Sequence, residues 1–549
     1  MKSTIPNPSA TPSGTCCGGP APAGVNACCV KDADAKAAGK TGCGCAGSAI
    51  DVDVAGESTT QPRPAPVKRA AWPVAVIGAG PVGLAAAARL IERGIEPVVL
   101  EAAASVGGNL LDYGHVRLFS PWRYDIDPAM AAQLEADGWR APALEALPLA
   151  REVVEQVMQP YARLTPVARA LQLNTKVLAI SREGFDKVKT SGRDSAPFVI
   201  RASQHGRPIE LRASAVIDAS GTWSTPNPLG ANGMPALGET DHAAAIFYGI
   251  PDVLGRERSR YAGRRTLVVG AGHSAANSLL ALAELARSAP GTRLVWAVRS
   301  PALTRVFGGG VADALPARGE LGAALERLRD SGGMEFVSGL RITAVRREKA
   351  AMTVEGLDPD HEPIRLTGID EIVCATGQRP DLAMVGELRV KLDPWLESTA
   401  ALGPLIDPNL HSCGTVRPHV HRELAHPEKG FYTLGVKSYG RAPTFLMTTG
   451  FEQARSVVAA IAGDLEAADR VELDLPETGV CSVGAAPSAD AGNACCGLPA
   501  REAEPVVDAA VRTATPATAT VGGGCGNSSC GAPAASVAAP VARTARCCS

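Results

Sequence analysis

The chain has 549 residues and a formal net charge of −2, from 54 Lys and Arg against 56 Asp and Glu. That length accommodates roughly two to four domain-sized cores. The near-neutral balance leaves no electrostatic footprint for nucleic acid or an anionic lipid surface, and no apolar run reaches the ~18 residues of a spanning helix.

In chain order, residues 1–72 are rich in Ala, Gly, Pro, Ser and Cys and show no hydrophobic periodicity. Met1 to Ala21 lacks the apolar segment of a secretory signal, so a cytoplasmic location is expected. Residues 477–549 repeat the composition of 1–72. Such segments bury too little apolar surface to offset their ordering entropy, which predicts Cys-rich tails that are disordered when unliganded. Between them, Pro73 to Leu100 predicts strand, glycine turn, helix and strand. Residues 109–175 predict an inserted helical region, and Val199–Ala202 and Ala215–Ile217 predict strands. Thr266 to Val298 repeats the strand–helix–strand unit, and 334–374 holds short β-like runs ending in Glu371–Cys374. Gly430–Gly435 and Thr448–Ile461 predict a last strand and a last helix. Strands alternating with helices predict an α/β fold with parallel sheets covered on both faces.

The first strand–helix junction reads Val76-Ile77-Gly78-Ala79-Gly80-Pro81-Val82-Gly83. In this pattern Gly78 permits the tight turn, Gly80 lets the backbone approach a pyrophosphate, and Gly83 lets the helix pack on the sheet. The helix N-terminus adds amide donors and a favourable dipole. Glu101, ending the next strand, suits a ribose and disfavours a 2′-phosphate. The second junction, Gly270-Ala271-Gly272-His273-Ser274-Ala275, repeats these roles with Ala275 in the third position. Its second strand ends at Arg299 in place of an acid. Arg299 can pair with a 2′-phosphate, favouring NADPH over NADH, although a solvated surface arginine reads the same way. Arg305 is a weaker second candidate.

Two further motifs follow β-like runs: Asp218-Ala219-Ser220-Gly221-Thr222-Trp223-Ser224-Thr225-Pro226 and Cys374-Ala375-Thr376-Gly377-Gln378-Arg379-Pro380-Asp381. With these in order, the chain resembles the two-dinucleotide-binding-domain flavoproteins over about residues 73–470. The resemblance implies an FAD-binding Rossmann-like domain with an inserted NADPH-binding Rossmann-like domain, flanked by the tails. The expected boundaries are 73–261 and 381–476 for the FAD domain and 262–380 for the NADPH domain. Gly107-Gly108-Asn109 resembles the glycine pair near the FAD pyrophosphate. Gly377 marks a crossing between the domains, and Gly435 lies in the last FAD segment. Gly440-Arg441-Ala442-Pro443-Thr444 precedes the last helix, with Thr444 expected near the flavin.

The disulfide-reductase branch places a C-x-x-x-x-C pair after the acid-ended strand. Here Val106 to Tyr113 contains no cysteine, and Leu434-Gly435-Val436-Lys437 lacks that branch's Gly-Asp. The second glycine loop is similar to the NADPH loop of flavin-containing monooxygenases. Gly238 and His242 match part of that family's linker fingerprint, with Ala236 and Ile246 where aromatics are expected. The whole looks most like the flavoprotein monooxygenases of arsenic-resistance operons. That resemblance implies that NADPH reduces FAD and that one oxygen atom passes from O₂ to a soft nucleophile such as As(III) or sulfur, with His242 near the chemistry. The cofactor would carry the reaction while the protein positions it and excludes water.

His411 to His421, with His426 after it, concentrates polar groups. Cys413, His419 and His421 have spacing that suits a thiolate–imidazole metal site. Cys413 could equally bind a thiophilic substrate while His419 moves a proton, and a structural loop remains the third reading. Cys374 reads as core. Phe119 to Asp125 reads equally as a pocket wall or as helix packing.

Of the 15 cysteines, 13 lie in the tails, among them Cys16-Cys17, Cys28-Cys29, Cys43-x-Cys45, Cys495-Cys496 and Cys547-Cys548. In a reducing compartment such clusters read as metal-binding or redox-active. Adjacent thiols suit thiophilic ions of low coordination number, As(III), Hg(II) or Cu(I), better than tetrahedral zinc. The terminal pair is similar to the one with which mercuric reductases hand metal to flavin. Three functions are therefore open: a monooxygenase linked to a thiophilic element, an NADPH-dependent reductase of a tail-bound metal or protein disulfide, and a metal(loid) chaperone or sensor on an inactive flavoprotein core. The expected partners are a small-molecule or metal(loid) substrate, with no nucleic acid and no membrane; a homodimer is left open.

Overall fold

The computed structural model describes residues 30–38, 72–301, 307, 315–411, 416, 418–443 and 445–473. The tail cysteines, including Cys16, Cys17, Cys28, Cys29, Cys495, Cys496, Cys547 and Cys548, lie outside the described residues, as do Arg305, Cys413 and Thr444. One helix, Val30–Ala37, departs from the expectation of a structureless N-terminal stretch. Its run of Ala and Lys supplies strong helix formers within an otherwise Gly- and Pro-rich segment.

Short runs of β-branched residues set the strands. β1 (Val74–Ile77) and β2 (Pro97–Leu100) flank the helix Pro81–Glu92, and β3 (Leu171–Gln172) follows the helical insertion. β4 (Thr175–Arg182), β5 (Phe198–Gln204) and β6 (Arg207–Ala213) form an antiparallel sheet. β7 (Ala215–Asp218) then returns to lie beside β1. Further on come β8 (Ile246–Tyr248), β9 (Arg265–Val269), β10 (Arg293–Ala297) and β11 (Glu335–Val337). A second antiparallel sheet is built from β12 (Arg341–Glu348), β13 (Ala351–Leu357) and β14 (Pro363–Ile369). β15 (Glu371–Cys374) and β16 (Phe431–Thr433) complete the set.

Two parallel five-stranded sheets result, ordered β16-β7-β1-β2-β3 and β11-β10-β9-β15-β8. Every strand of the second falls between β7 and β16 in sequence, so the second sheet is inserted into the first. β8 lies within 73–261 yet pairs with β15 in the second sheet. That sheet therefore starts earlier in the chain than the boundary expected at 262. A strand of three residues has too little alternation to be seen in the sequence.

Each parallel sheet is buried on both faces, by unlike layers. Successive side chains of a strand point to opposite faces. Val74 and Val76 accordingly pack with Leu84, Leu90, Val457 and Val458 from helices, while Ala75 and Ile77 pack with Ile180, Phe198 and Ile200 from the antiparallel sheet. The inserted unit repeats the plan: Val268 and Trp296 meet the helix residues Leu279, Leu282 and Leu325, and Leu267 and Val295 meet Ile342, Val354 and Ile369 of β12–β14.

An ion cluster ties the first antiparallel layer to the start of β16. Glu428 accepts from Arg182 Nε at 2.8 Å, from Arg193 Nη2 at 2.8 Å and from the Arg389 amide at 3.0 Å. All three of Arg182, Arg193 and Glu428 are buried. Removing one partner leaves uncompensated charge away from water, which costs about 3–5 kcal/mol. Glu428→Ala should therefore lose about that much unfolding free energy, measured by denaturant titration; a loss under about 1 kcal/mol would show the cluster to be hydrated and weak.

Candidate active site

Both glycine loops sit where the parallel strands end, the edge at which open α/β sheets bind ligands. The first follows β1. Gly78 has φ +96°, and a Cβ there would lie 2.7 Å from the Ala219 carbonyl oxygen. At Gly83 a Cβ would stand 1.9 Å from the Gly78 oxygen, so only glycine lets the helix come this close. Around Gly80 the space is open: a Cβ would meet nothing within 4 Å. Gly80 caps the helix Pro81–Glu92 without a side-chain hydrogen bond, leaving first-turn amides for an anion. Glu101 Oε2 accepts from the Ala79 amide at 2.6 Å and Oε1 from the Ala103 amide at 2.8 Å. A carboxylate has about four acceptor positions, so hydroxyl groups still find lone pairs there.

Neighbouring segments close in on this loop. The Gly107 amide donates to the Ala79 oxygen at 3.0 Å, placing Gly108 and exposed Asn109 beside it. Val82 lies between two glycines: a Cβ at Gly435 would meet its Cβ at 3.4 Å, and one at Gly450 would meet its Cγ2 at 2.3 Å. The helix Met447–Ile461 thereby docks on the helix Pro81–Glu92. The buried Lys437 ammonium lies 2.7 Å from Asp218 Oδ2 and donates to Ser220 Oγ at 3.0 Å, joining the ends of β7 and β16. An uncapped helix end, an open glycine and a strand-end carboxylate together fit a dinucleotide such as FAD.

The second loop follows β9. Gly270 has φ +138°, and a Cβ there would be 2.2 Å from the Ala375 oxygen, while Gly272 again faces open space. Gly272 caps the helix His273–Ser288 without a side-chain bond. Ala275 is fully buried, its methyl accommodated where Gly83 has no room. Ser274 is half-buried in the first turn. Arg299 is exposed beyond β10 and donates to the Ala231 oxygen at 2.8 Å. These features fit a second dinucleotide.

The two edges are connected by segments that leave β7 and β15. They run side by side: the Asn227 amide donates to the Gly377 oxygen at 2.9 Å, and the Arg379 amide to the Thr225 oxygen at 3.0 Å. Gly377, at φ +86°, makes the bend. Asn227 Nδ2 adds a bond to the Thr376 oxygen at 3.1 Å.

Residues 75–400 match the family of pyridine nucleotide-disulphide oxidoreductases. The chain belongs to that family. It is an FAD- and NAD(P)H-dependent oxidoreductase. Its fold is shared with bacillithiol disulfide reductase from Bacillus cereus, at 18% identity and TM-score 0.52, covering 72% of this chain and 99% of that one. The Staphylococcus aureus bacillithiol disulfide reductase gives 14%, 0.51, 71% and 98%. The cadaverine monooxygenase of desferrioxamine biosynthesis from Erwinia amylovora gives 14%, 0.52, 76% and 100%. No curated protein matches the sequence. Among the described residues of this oxidoreductase no helix is long and apolar enough to cross a membrane.

The histidines expected near the chemistry are dispersed. His242 precedes β8 by a short turn. Arg260 donates both to the Ala244 oxygen, at 2.9 Å, and to Glu371 at the start of β15, at 2.7 Å. His242 therefore stands at the end of the sheet where β8 and β15 begin, whereas the glycine loops follow strand ends. The physical reason is the packing of Gly238, whose Cβ would be 2.3 Å from the Val345 oxygen, against β12. His419 is buried. Gln453 Oε1 accepts from the Gly435 amide at 2.7 Å, so its NH₂ group faces His419 Nε2 at 2.8 Å and Ser438 Oγ at 2.9 Å. In that orientation the Gln453 NH₂ donates to His419 Nε2. His421 Nε2 turns instead to Asp469 at 3.0 Å. The two rings do not converge, and the described residues hold no cluster suited to a metal.

Some supporting residues had no sequence signal. Trp296 Nε1 donates to the Gly270 oxygen at 2.8 Å, fixing the second loop from inside the sheet. Glu239 is buried and accepts from the Leu229 and Ala236 amides and from Tyr248 Oη. Lys437 was legible only as a departure from Gly-Asp.

Two outcomes follow from this geometry. Gly83→Ala should destabilise the apoprotein and abolish flavin retention. Gly80→Ala should leave apoprotein stability within about 0.5 kcal/mol yet weaken flavin binding, read by fluorescence titration of free FAD. Equal effects of the two would show that Gly80 does not face the cofactor. Burial also pushes His426 down to about 4; its Nδ1 accepts from the Lys391 amide at 3.2 Å. The unfolded imidazole protonates near 6.5, so the unfolded state takes up the proton first as pH falls. This contribution is complete above about pH 6.5 and is lost as pH falls toward 4. His426→Gln should flatten the slope of unfolding free energy against pH in that window.

Proposed function

We propose that this chain is a flavin monooxygenase that consumes NADPH and transfers one oxygen atom to a soft nucleophile, with arsenite or another thiophilic species as the substrate class. One observation carries the reading. The segment Val106 to Tyr113, beside the first loop, contains no cysteine. Among the described residues the single free cysteine, Cys374, is buried; it contacts Thr376 Oγ1 at 3.2 Å, and burial pushes its thiol up to about 12. Among the described residues no dithiol stands beside the flavin loop to take its electrons, and O₂ is the acceptor in this reading.

The roles divide by loop. Gly78, Gly80, Gly83, Glu101, Gly108, Asn109 and Gly435 surround the FAD diphosphate and ribose. Gly270, Gly272, Ser274 and Ala275 receive the NADPH diphosphate, with Arg299 on the 2′-phosphate. FAD, when bound, supplies electron transfer and oxygen activation; the chain orients both nucleotides and keeps water out. The paired thiols of the tails, Cys547-Cys548 among them, capture the thiophilic species and raise its local concentration. The same terminal pair favours a second reading, an NADPH-dependent reductase of a tail-bound ion or disulfide.

Arsenite turnover decides between them. The expected balance per turnover is one NADPH and one proton consumed with one O₂, giving NADP⁺, one water and one arsenate, with little hydrogen peroxide. NADPH oxidation that persists without oxygen and depends on Cys547 and Cys548 would instead establish the reductase. Arg299→Glu should raise KM for NADPH by about tenfold or more while changing that for NADH little, since it opposes only the 2′-phosphate. Equal changes for both nucleotides would remove Arg299 from the phosphate site.

A further inference from the structure

The insertion that follows the first glycine loop reaches across to the second. Trp223, in the segment leaving β7, is half-buried. Its Nε1 donates to Asp112 Oδ2 at 2.9 Å, and its ring lies 4.7 Å from that of Tyr113. The far edge of the same indole covers Gly249, at φ +111°, where a Cβ would come within 3.2 Å of Cη2. Gly249 follows β8, and its amide donates to the Cys374 oxygen at 3.1 Å, so it belongs to the nucleotide edge of the second sheet. One side chain therefore touches the insertion beside the first loop and the ligand edge of the second sheet.

Two further contacts run in the same direction. Phe119 packs on His273, the first residue of the second glycine-loop helix, with ring centroids 5.2 Å apart. His115, also in the insertion, faces the Pro251 backbone and the Asp252 carboxylate just after Gly249. The insertion is itself held on the first unit: Arg89 Nη2 donates to buried Asp127 at 3.3 Å, and Gln133 Nε2 to the Ala88 oxygen at 3.1 Å. By contrast, the covalent connection between the units is a pair of narrow segments meeting at exposed Gly377. Hydride transfer requires reacting atoms held about 3–3.5 Å apart, so contacts between the units beyond these segments bear on its rate.

We propose that Trp223 is a positioning residue: held by Asp112 and Tyr113, its indole fixes the second nucleotide loop relative to the first, in the arrangement that hydride transfer from nicotinamide to flavin uses. Phe119 serves the same end through His273. Neither residue binds the cofactors in this assignment, so their loss affects rate and not occupancy. The proposal rests on the reading that the Gly270 loop receives NADPH.

The test uses the full FAD-loaded chain. Trp223→Ala should keep the wild-type flavin content and the wild-type Kd for NADPH, while anaerobic flavin reduction by saturating NADPH slows about tenfold or more. Reduction by dithionite should be unchanged. Asp112→Ala, which removes only the indole's acceptor, should give a smaller loss of the same kind. Hydrogen exchange supplies a readout independent of turnover: peptides spanning 219–227 and 375–380 should exchange faster in Trp223→Ala, with those of β1 and β2 unaffected. A wild-type reduction rate in Trp223→Ala overturns the proposal, and so does a rate loss that merely tracks lost flavin. Failure of the NADPH reading would show differently, as no NADPH-driven reduction in the wild-type chain at all.

Discussion

Between the Gly83 backbone and the carbonyl of Gly78 there is no room for a methyl group. This close approach seats the helix Pro81–Glu92 directly on β1, and much of the first unit is arranged around its consequences. With the helix so low, Val82 projects between Gly435 and Gly450, which brings the helix Met447–Ile461 and the loop after β16 to the same place. That loop carries Lys437 to Asp218 and Ser220, so the segment leaving β7 is held there as well. Distant parts of the chain thus converge on one strand end because one residue lacks a side chain.

The inserted unit solves the same problem with less constraint. Ala275 occupies the third position of its loop, fully buried, so its helix approaches the sheet without needing glycine there. Trp296 takes over part of the positioning by holding the Gly270 carbonyl from within the sheet. Both units share a layered plan, helices on one face and an antiparallel sheet on the other. Their ligand edges are tied by the paired segments around Asn227 and Gly377 and by the aromatic contacts of the insertion.

Local patterns made the parallel sheets and both glycine loops legible. Glycine spacing reports a backbone geometry fixed within a few residues, and Glu101 and Arg299 stand at strand ends where periodicity stops. The antiparallel sheets were seen only as scattered β-like runs, because their identity depends on pairing between strands. β8 escaped notice for its brevity. The histidine cluster left three readings open for a related reason. His419 and His421 are close in sequence, but which way each ring turns is decided by Gln453 and Asp469, residues far along the chain. Nothing about the spacing of two histidines carries that information.

The nested order of the sheets bears on how the molecule is made. β7 ends at Asp218 and its neighbour β16 begins only at Phe431, while every strand of the inserted sheet lies between them. During synthesis the inserted unit is complete before β16 has left the ribosome, and domains generally fold as units as they emerge. The first sheet meanwhile presents β7 as an open edge of unsatisfied backbone donors and acceptors, the kind of surface that templates aggregation. The loop that β16 must close is long, but closure entropy grows only logarithmically with length, so the delay affects the rate of assembly far more than final stability. Chaperone dependence in this chain is thus expected to centre on the nascent β7 edge, released when the C-terminal strand arrives and Lys437 reaches Asp218.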